Sequence, residues 1–203
     1  MAPVKGSGVL IKLVTRSIFI IVISISLFDC AGNSYKKMSI ENPEDLLSIQ
    51  DSLILVHGND EVVLAALAIA NNTVAEKFIA QGNYNLAANH FSKALKLNES
   101  NTESKYGLLL AEGRALVKKG NKNGIWDAIE KYSKASNLFP SSGEPFFLTA
   151  LAYTKLGDTD FDLILESYEK SISLELDGQL RVEVVKKYEH AKKRKTNLDS
   201  FWK

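Results

Sequence analysis

The chain has 203 residues, 45% hydrophobic and 24% charged, with 25 Lys and Arg set against 24 Asp and Glu. A formal net charge of +1 lacks the basic excess that nucleic-acid binders carry, so no nucleic acid is expected as a partner. The hydrophobic share suffices for a core, the length suits one domain with an appendage, and a lone cysteine excludes an internal disulfide.

Lys5, Lys12 and Arg16 precede an uncharged run from Ser17 to Phe28. A basic stretch followed by about 7–15 apolar residues is the pattern of a signal peptide, whereas a membrane span needs about 18 or more. Extending the run back to Val9 would draw in Lys12 and Arg16, which are costly at the centre of a bilayer. Residues 1–30 therefore read as an export signal, closed by Cys30. The box Leu27, Phe28, Asp29, Cys30 resembles that of a bacterial lipoprotein signal, with Asp29 where a small residue is usual. The resemblance implies that Cys30 is lipidated on its sulfur and becomes the mature N-terminus. It also implies a protein of the bacterial cell envelope, lipid-anchored to a membrane and facing the periplasm or the exterior. Residues 31–42 are polar and without periodicity, and read as a flexible tether.

Residues 42–58 are expected to form a first helix. Asn42 is placed to cap it and Pro43 suits its first position. Leu46, Ile49, Leu53 and Val56 recur at helical spacing, and Gly58 ends the run. The chain then repeats itself. "ANHFSKALKL", "IEKYSKASNL" and "LESYEKSISL" align Phe91, Tyr132 and Tyr168, then Ala94, Ala135 and Ser171, then Leu97, Leu138 and Leu174. Ala87, Ala128 and Ile164 stand four residues before the aromatics, so each set shares one helical face. Each of these helices follows another across a turn glycine: Gly82, Gly120 or Gly157. Seven residues before each glycine stands a small residue, Ala75, Gly113 or Ala150, and three after that a larger one, Phe78, Leu116 or Tyr153. Small residues let helices approach closely while the larger ones fill the space alongside. The turns after Gly120 and Gly157 are expected to be longer than the turn after Gly82.

This pattern resembles the tetratricopeptide repeat, a helix–turn–helix unit of about 34 residues. No tryptophan opens a repeat; Asn71, Leu109 and Phe146 stand there, and the closing proline occurs only as Pro140. The resemblance implies an all-α fold: a short right-handed superhelix of antiparallel helix pairs with flanking N-terminal and C-terminal capping helices. The repeat domain is expected over residues 43–198, with repeats at about 68–101, 102–142 and 143–177. A capping helix is expected at about 178–195, where Leu180, Val184, Tyr188 and Ala191 form an apolar stripe opposite a charged face.

No catalytic constellation is legible. His57, His90 and His190 fall in separate helices without metal-ligand spacing. "GNKNG" lacks the ending of a phosphate loop, and Asp158, Asp160 and Asp162 lack the glycine and distal glutamate of a calcium loop. "KKRK" at Lys192–Lys195 reads as the solvated end of a helix. The expectation is a non-catalytic adaptor without cofactor or metal, anchored to a membrane through its N-terminal lipid. The resemblance implies that first helices line a concave groove that binds a protein or peptide partner, possible roles lying in cell-envelope assembly. Stepping along that face gives Asn72, Glu76 and Ile79, then Leu110, Arg114 and Val117, then Phe147, Leu151 and Thr154, a mixed rather than basic surface. Phe147 and Arg114 are its expected anchors. An envelope enzyme or enzyme accessory with a site assembled from distant residues, and a structural spacer, remain as alternatives.

Overall fold

The structure, a computed structural model, describes residues 34–157 and 160–201. Residues 1–33, where an export signal ending at Cys30 is expected, and Asp158 lie outside the described residues. The fold is all-α, with no strand among the described residues. The described residues fall into two compact units, one ending at Ala70 and the other beginning at Asn71.

In the first unit, residues 34–41 are helical (α1), where the sequence suggested a tether. Tyr35, Met38 and Ser39 share an i, i+3, i+4 face there, and Ser39 is buried, its hydroxyl donating to the Lys36 carbonyl at 2.7 Å. The Tyr35 ring meets His57 edge-on at 6.0 Å. The single helix expected over 42–58 is two: α2 (Pro43–Ser48) and α3 (Gln50–His57), separated at Ile49. Leu46 and Leu53 are buried as the periodicity implies, but the break rotates the rest of the stripe outward and leaves Val56 75% exposed. Gly58 ends α3 at φ 58°, a left-handed conformation open to glycine at little cost. Asp60 then caps α4 (Glu61–Ala80), its Oδ1 accepting from the Val62 and Val63 amides at 2.8 and 3.3 Å.

The second unit begins with the last ten residues of α4 and continues through α5 (Tyr84–Leu97), α6 (Thr102–Lys119), α7 (Lys122–Leu138), α8 (Glu144–Leu156), α9 (Phe161–Ile172) and α10 (Gly178–Phe201). Consecutive helices pack on one another across short turns, so they run antiparallel, and α6 also touches α8. The turn glycines Gly82, Gly120 and Gly157 all have positive φ. The turn after Gly120 is short, contrary to expectation: Asn121 caps α7 by accepting from the Gly124 amide at 2.6 Å, and the extra residues add a helical turn. After Gly157 the link to α9 is the longer one, as expected.

The repeated positions are the packed ones. Phe91, Tyr132 and Tyr168 are buried, as are Ala87, Ala128 and Ile164 below them and Ala94, Ala135 and Ser171 above. Burying an aromatic ring of this kind stabilises by roughly 1.5–3 kcal/mol. The small residues make room for these rings. A methyl group at Gly113 would collide with the Tyr132 ring, and one at Gly107 with the Phe91 ring. Where the opening tryptophan of the resembled repeat is missing, Asn71 is buried and its Oδ1 meets His90 Nδ1 at 3.0 Å, with Phe78 stacked on His90 at 5.5 Å. The last two repeats are also tied through their ends: the Gly143 amide donates to the Glu175 carbonyl and the Glu175 amide to the Ser141 carbonyl, each at 2.8 Å. On α10, Val184 and Ala191 are buried and Leu180 and Tyr188 half-buried, so the apolar stripe covers the end of the stack. Without such cover the last repeat would expose its core face.

Candidate functional site

α6 and α8 lie side by side and, with the start of α5 and Tyr132 of α7, enclose a cavity of about 420 Å³. Val117, Leu148 and Leu151 supply its apolar wall, and Arg114, Lys118 and Lys155 its charge. Arg114 is fixed at its tip: Nη2 donates to Glu144 Oε1 at 2.6 Å. Tyr106 braces the same carboxylate, its hydroxyl lying 2.9 Å from Ser142 Oγ and donating to Glu144 Oε2 at 3.4 Å. The Tyr84 ring sits 5.9 Å from the Arg114 guanidinium and 5.7 Å from Lys118 Nζ, both within cation–π range. Arg114 Nε is buried and finds no hydrogen-bond acceptor among the described residues. A buried donor left unmade costs about 1–3 kcal/mol.

A second cavity of about 410 Å³ adjoins the first at Leu151, which lines both. Phe161, Ile164 and Tyr168 of α9 and Ala191 of α10 form its floor, and cationic side chains of α10 form its rim. The two cavities thus share a wall on the second unit. Glu76 lies near Arg114 and Glu144, outside the lining of either cavity. Glu76 is open to solvent on one side, yet the surrounding protein mass desolvates its carboxyl and raises its pKa. Repulsion from Glu144 adds to the rise and Arg114 offsets part of it. Burial and the same Glu144 charge push the Tyr106 hydroxyl well above the usual phenol range.

The residues expected along the groove divide. Arg114, Val117 and Leu151 line the first cavity, and Leu151 and Thr154 the second. Thr154 Oγ1 also donates to the Ala150 carbonyl at 2.8 Å. Asn72 is occupied in packing, its Oδ1 accepting from Ser104 Oγ at 2.9 Å, and Ile79 packs beside Ala75 and Phe91. Leu110 and Phe147 are corrections. Both are buried in the core, and Phe147, 3% exposed, lies against Tyr168 with ring centroids 6.2 Å apart. The face that steps every three or four residues along α8 is wider than the strip open to the groove, so Phe147 falls on the side that meets α9.

Sequence reasoning missed Tyr84, Lys118 and Lys155, and it missed the α10 rim. The signal for the rim was present: Lys186, His190 and Arg194 recur every four residues and so share one stripe. With these included the groove is not evenly mixed, as the first helices alone suggest, but basic over its α8–α10 half. Among the described residues no group of three or more His, Cys, Asp or Glu side chains gathers that could hold a metal ion. Asp162, in the loop considered for calcium, pairs with Lys195.

No family model matches the chain, and no curated protein matches it. Among solved structures it is similar to one described as MamA 41-end from Desulfovibrio magneticus RS-1, at 20% identity and a TM-score of 0.46, over 83% of this chain and 93% of that one. It is also similar to one described as MamA RS-1 ArsTM double mutant, at 18% identity and a TM-score of 0.45, over 81% of this chain and 96% of that one.

Proposed function

We propose that the protein is a non-catalytic adaptor, anchored to a membrane of the bacterial envelope through a lipid on Cys30, that holds a segment of a partner protein along the groove between α6, α8 and α10. The observation that carries this reading is the paired cavity. It offers apolar walls for anchor side chains beside the charged groups of Arg114, Lys118 and Lys155, which is the composition of a contact site rather than of a solvated surface. Interface energy concentrates in a few anchors set in such pockets. The lipid anchor rests on the sequence around Cys30, and the envelope follows from it.

Affinity capture of the full chain from detergent-solubilised membranes, as wild type and as Leu151→Asp, tests the groove. Leu151 is half-buried and stands at the junction of both cavities. The expected result is a protein retained by the wild type and lost from a variant that still folds. Equal retention by both would remove the groove as the site. Acylation is tested separately: radiolabelled palmitate should enter the wild type and not Cys30→Ser.

A further inference from the structure

The cavity beneath α10 has a chemistry of its own. Its floor is apolar, from Leu151, Phe161, Ile164 and Ala191, and its volume admits a large side chain. Its rim is basic. Lys186, His190 and Arg194 stand one helical turn apart along α10, Lys187 lies beside them, and Glu183 is the one acid in the lining among the described residues. A terminal helix needs only an apolar inner face and a polar outer one. Capping the stack therefore explains Val184 and Ala191 but not a row of basic residues over an apolar hollow. Composition does not explain it either, because the chain as a whole is nearly neutral. Glu183 is already engaged with Lys187 at 3.7 Å, while Lys186 and, next door, Lys155 make no ion pair among the described residues. Arg194 lies 5.6 Å from the Phe161 ring, so positive charge is held directly over the floor.

We propose that this cavity recognises an acidic segment of the partner carrying one large apolar side chain: the apolar group enters the hollow between α8, α9 and α10, and flanking carboxylates meet Lys186, His190, Arg194 and Lys155. The proposal rests on the adaptor reading. Charge complementarity of this kind fixes register and speeds encounter more than it adds to affinity.

The test uses the full chain in neutral detergent and two fluorescein-labelled synthetic peptides read by anisotropy. One is a short run of Asp and Glu with a single central Phe; the other replaces each acid by its amide. The acidic peptide should bind about ten-fold or more tightly than the amide peptide at low salt, an advantage that collapses near 1 M salt, where screening extends only about 3 Å. Lys186→Glu, at an exposed position that unfolding should not confound, should abolish that advantage. Equal binding of the two peptides, unchanged acidic-peptide binding by Lys186→Glu, or no binding of the acidic peptide at millimolar concentration would each overturn the proposal. Leu151→Asp separates the two readings. If it abolishes binding of both peptides while Lys186→Glu changes neither, the groove stands as a binding site and only its preference for acid is lost.

Discussion

Gly113→Ala sets two effects of known sign against each other. Gly113 lies in the middle of α6, where alanine would ordinarily stabilise by about 0.5–1 kcal/mol through backbone entropy. The added methyl would meet the Tyr132 ring, with Cζ only 2.8 Å and Cδ1 3.0 Å away. Optimal carbon contacts lie at about 3.5–4.0 Å, so the ring would have to retreat by roughly an ångström. Tyr132 is 1% exposed and packed among core residues of α6, α7 and α8, so although it borders the first cavity a shift of the ring would break contacts on its packed sides. Overpacking of this kind costs about 1–3 kcal/mol, towards the upper end for a rigid ring. The packing term wins, and the net expectation is a loss of about 1–2 kcal/mol, or about 2–8 °C in melting temperature for a chain of this size. Urea titration followed by circular dichroism measures it. In a Tyr132→Val background the obstruction is gone, and Gly113→Ala should then stabilise, giving a coupling of about 1.5–3 kcal/mol. If Gly113→Ala stabilises the wild type, α6 and α7 are not in close contact there and the packing argument fails.

Phe147→Ala should cost about 3–5 kcal/mol, the usual loss for a buried phenylalanine, and a melt that barely moves would return Phe147 to the groove. Ser171 occupies the position filled by Ala94 and Ala135 in the other repeats, and its buried hydroxyl finds no partner among the described residues. Ser171→Ala should therefore raise stability by about 1 kcal/mol, and a loss of that size in denaturant titration would reveal an unseen bond. Desolvation and Glu144 raise the Glu76 pKa, so the folded chain holds that proton more tightly than the unfolded chain does. This favours folding below the unfolded value and is lost as pH rises through the folded one. Glu76→Gln should thus match the wild type near about pH 4 and melt higher near about pH 7; parallel melting profiles across that range would mean an ordinary, solvated carboxylate.

The repeat was legible because its code is local. Phe91, Tyr132 and Tyr168 recur with their small neighbours at fixed helical spacing, and the turn glycines adopt the left-handed conformations that their positions imply. The N-terminal unit was less legible. The chain from Ser34 to Glu41 has no run of apolar residues, and its helix shows only in the face shared by Tyr35, Met38 and Ser39. The break at Ile49 has no proline or glycine to announce it. The groove was half legible. Spacing along one helix identifies Arg114, Val117 and Leu151, but not how far a neighbouring helix overlaps that face, and the overlap puts Leu110 and Phe147 inside the core. The α10 rim was hidden for a related reason: a polar helix face reads as solvated until another helix is found opposite it.

The adaptor account is tested most directly by photo-crosslinking in the living cell. A benzophenone amino acid placed at position 117 or 151, on the groove wall, should capture a discrete protein adduct. The same probe at exposed position 126 or 133, on α7 away from the groove, should not. Adducts confined to the groove positions are the predicted result. Adducts only from positions 126 and 133, or none from the groove with every variant folded and anchored, would contradict the claim that this groove holds a partner.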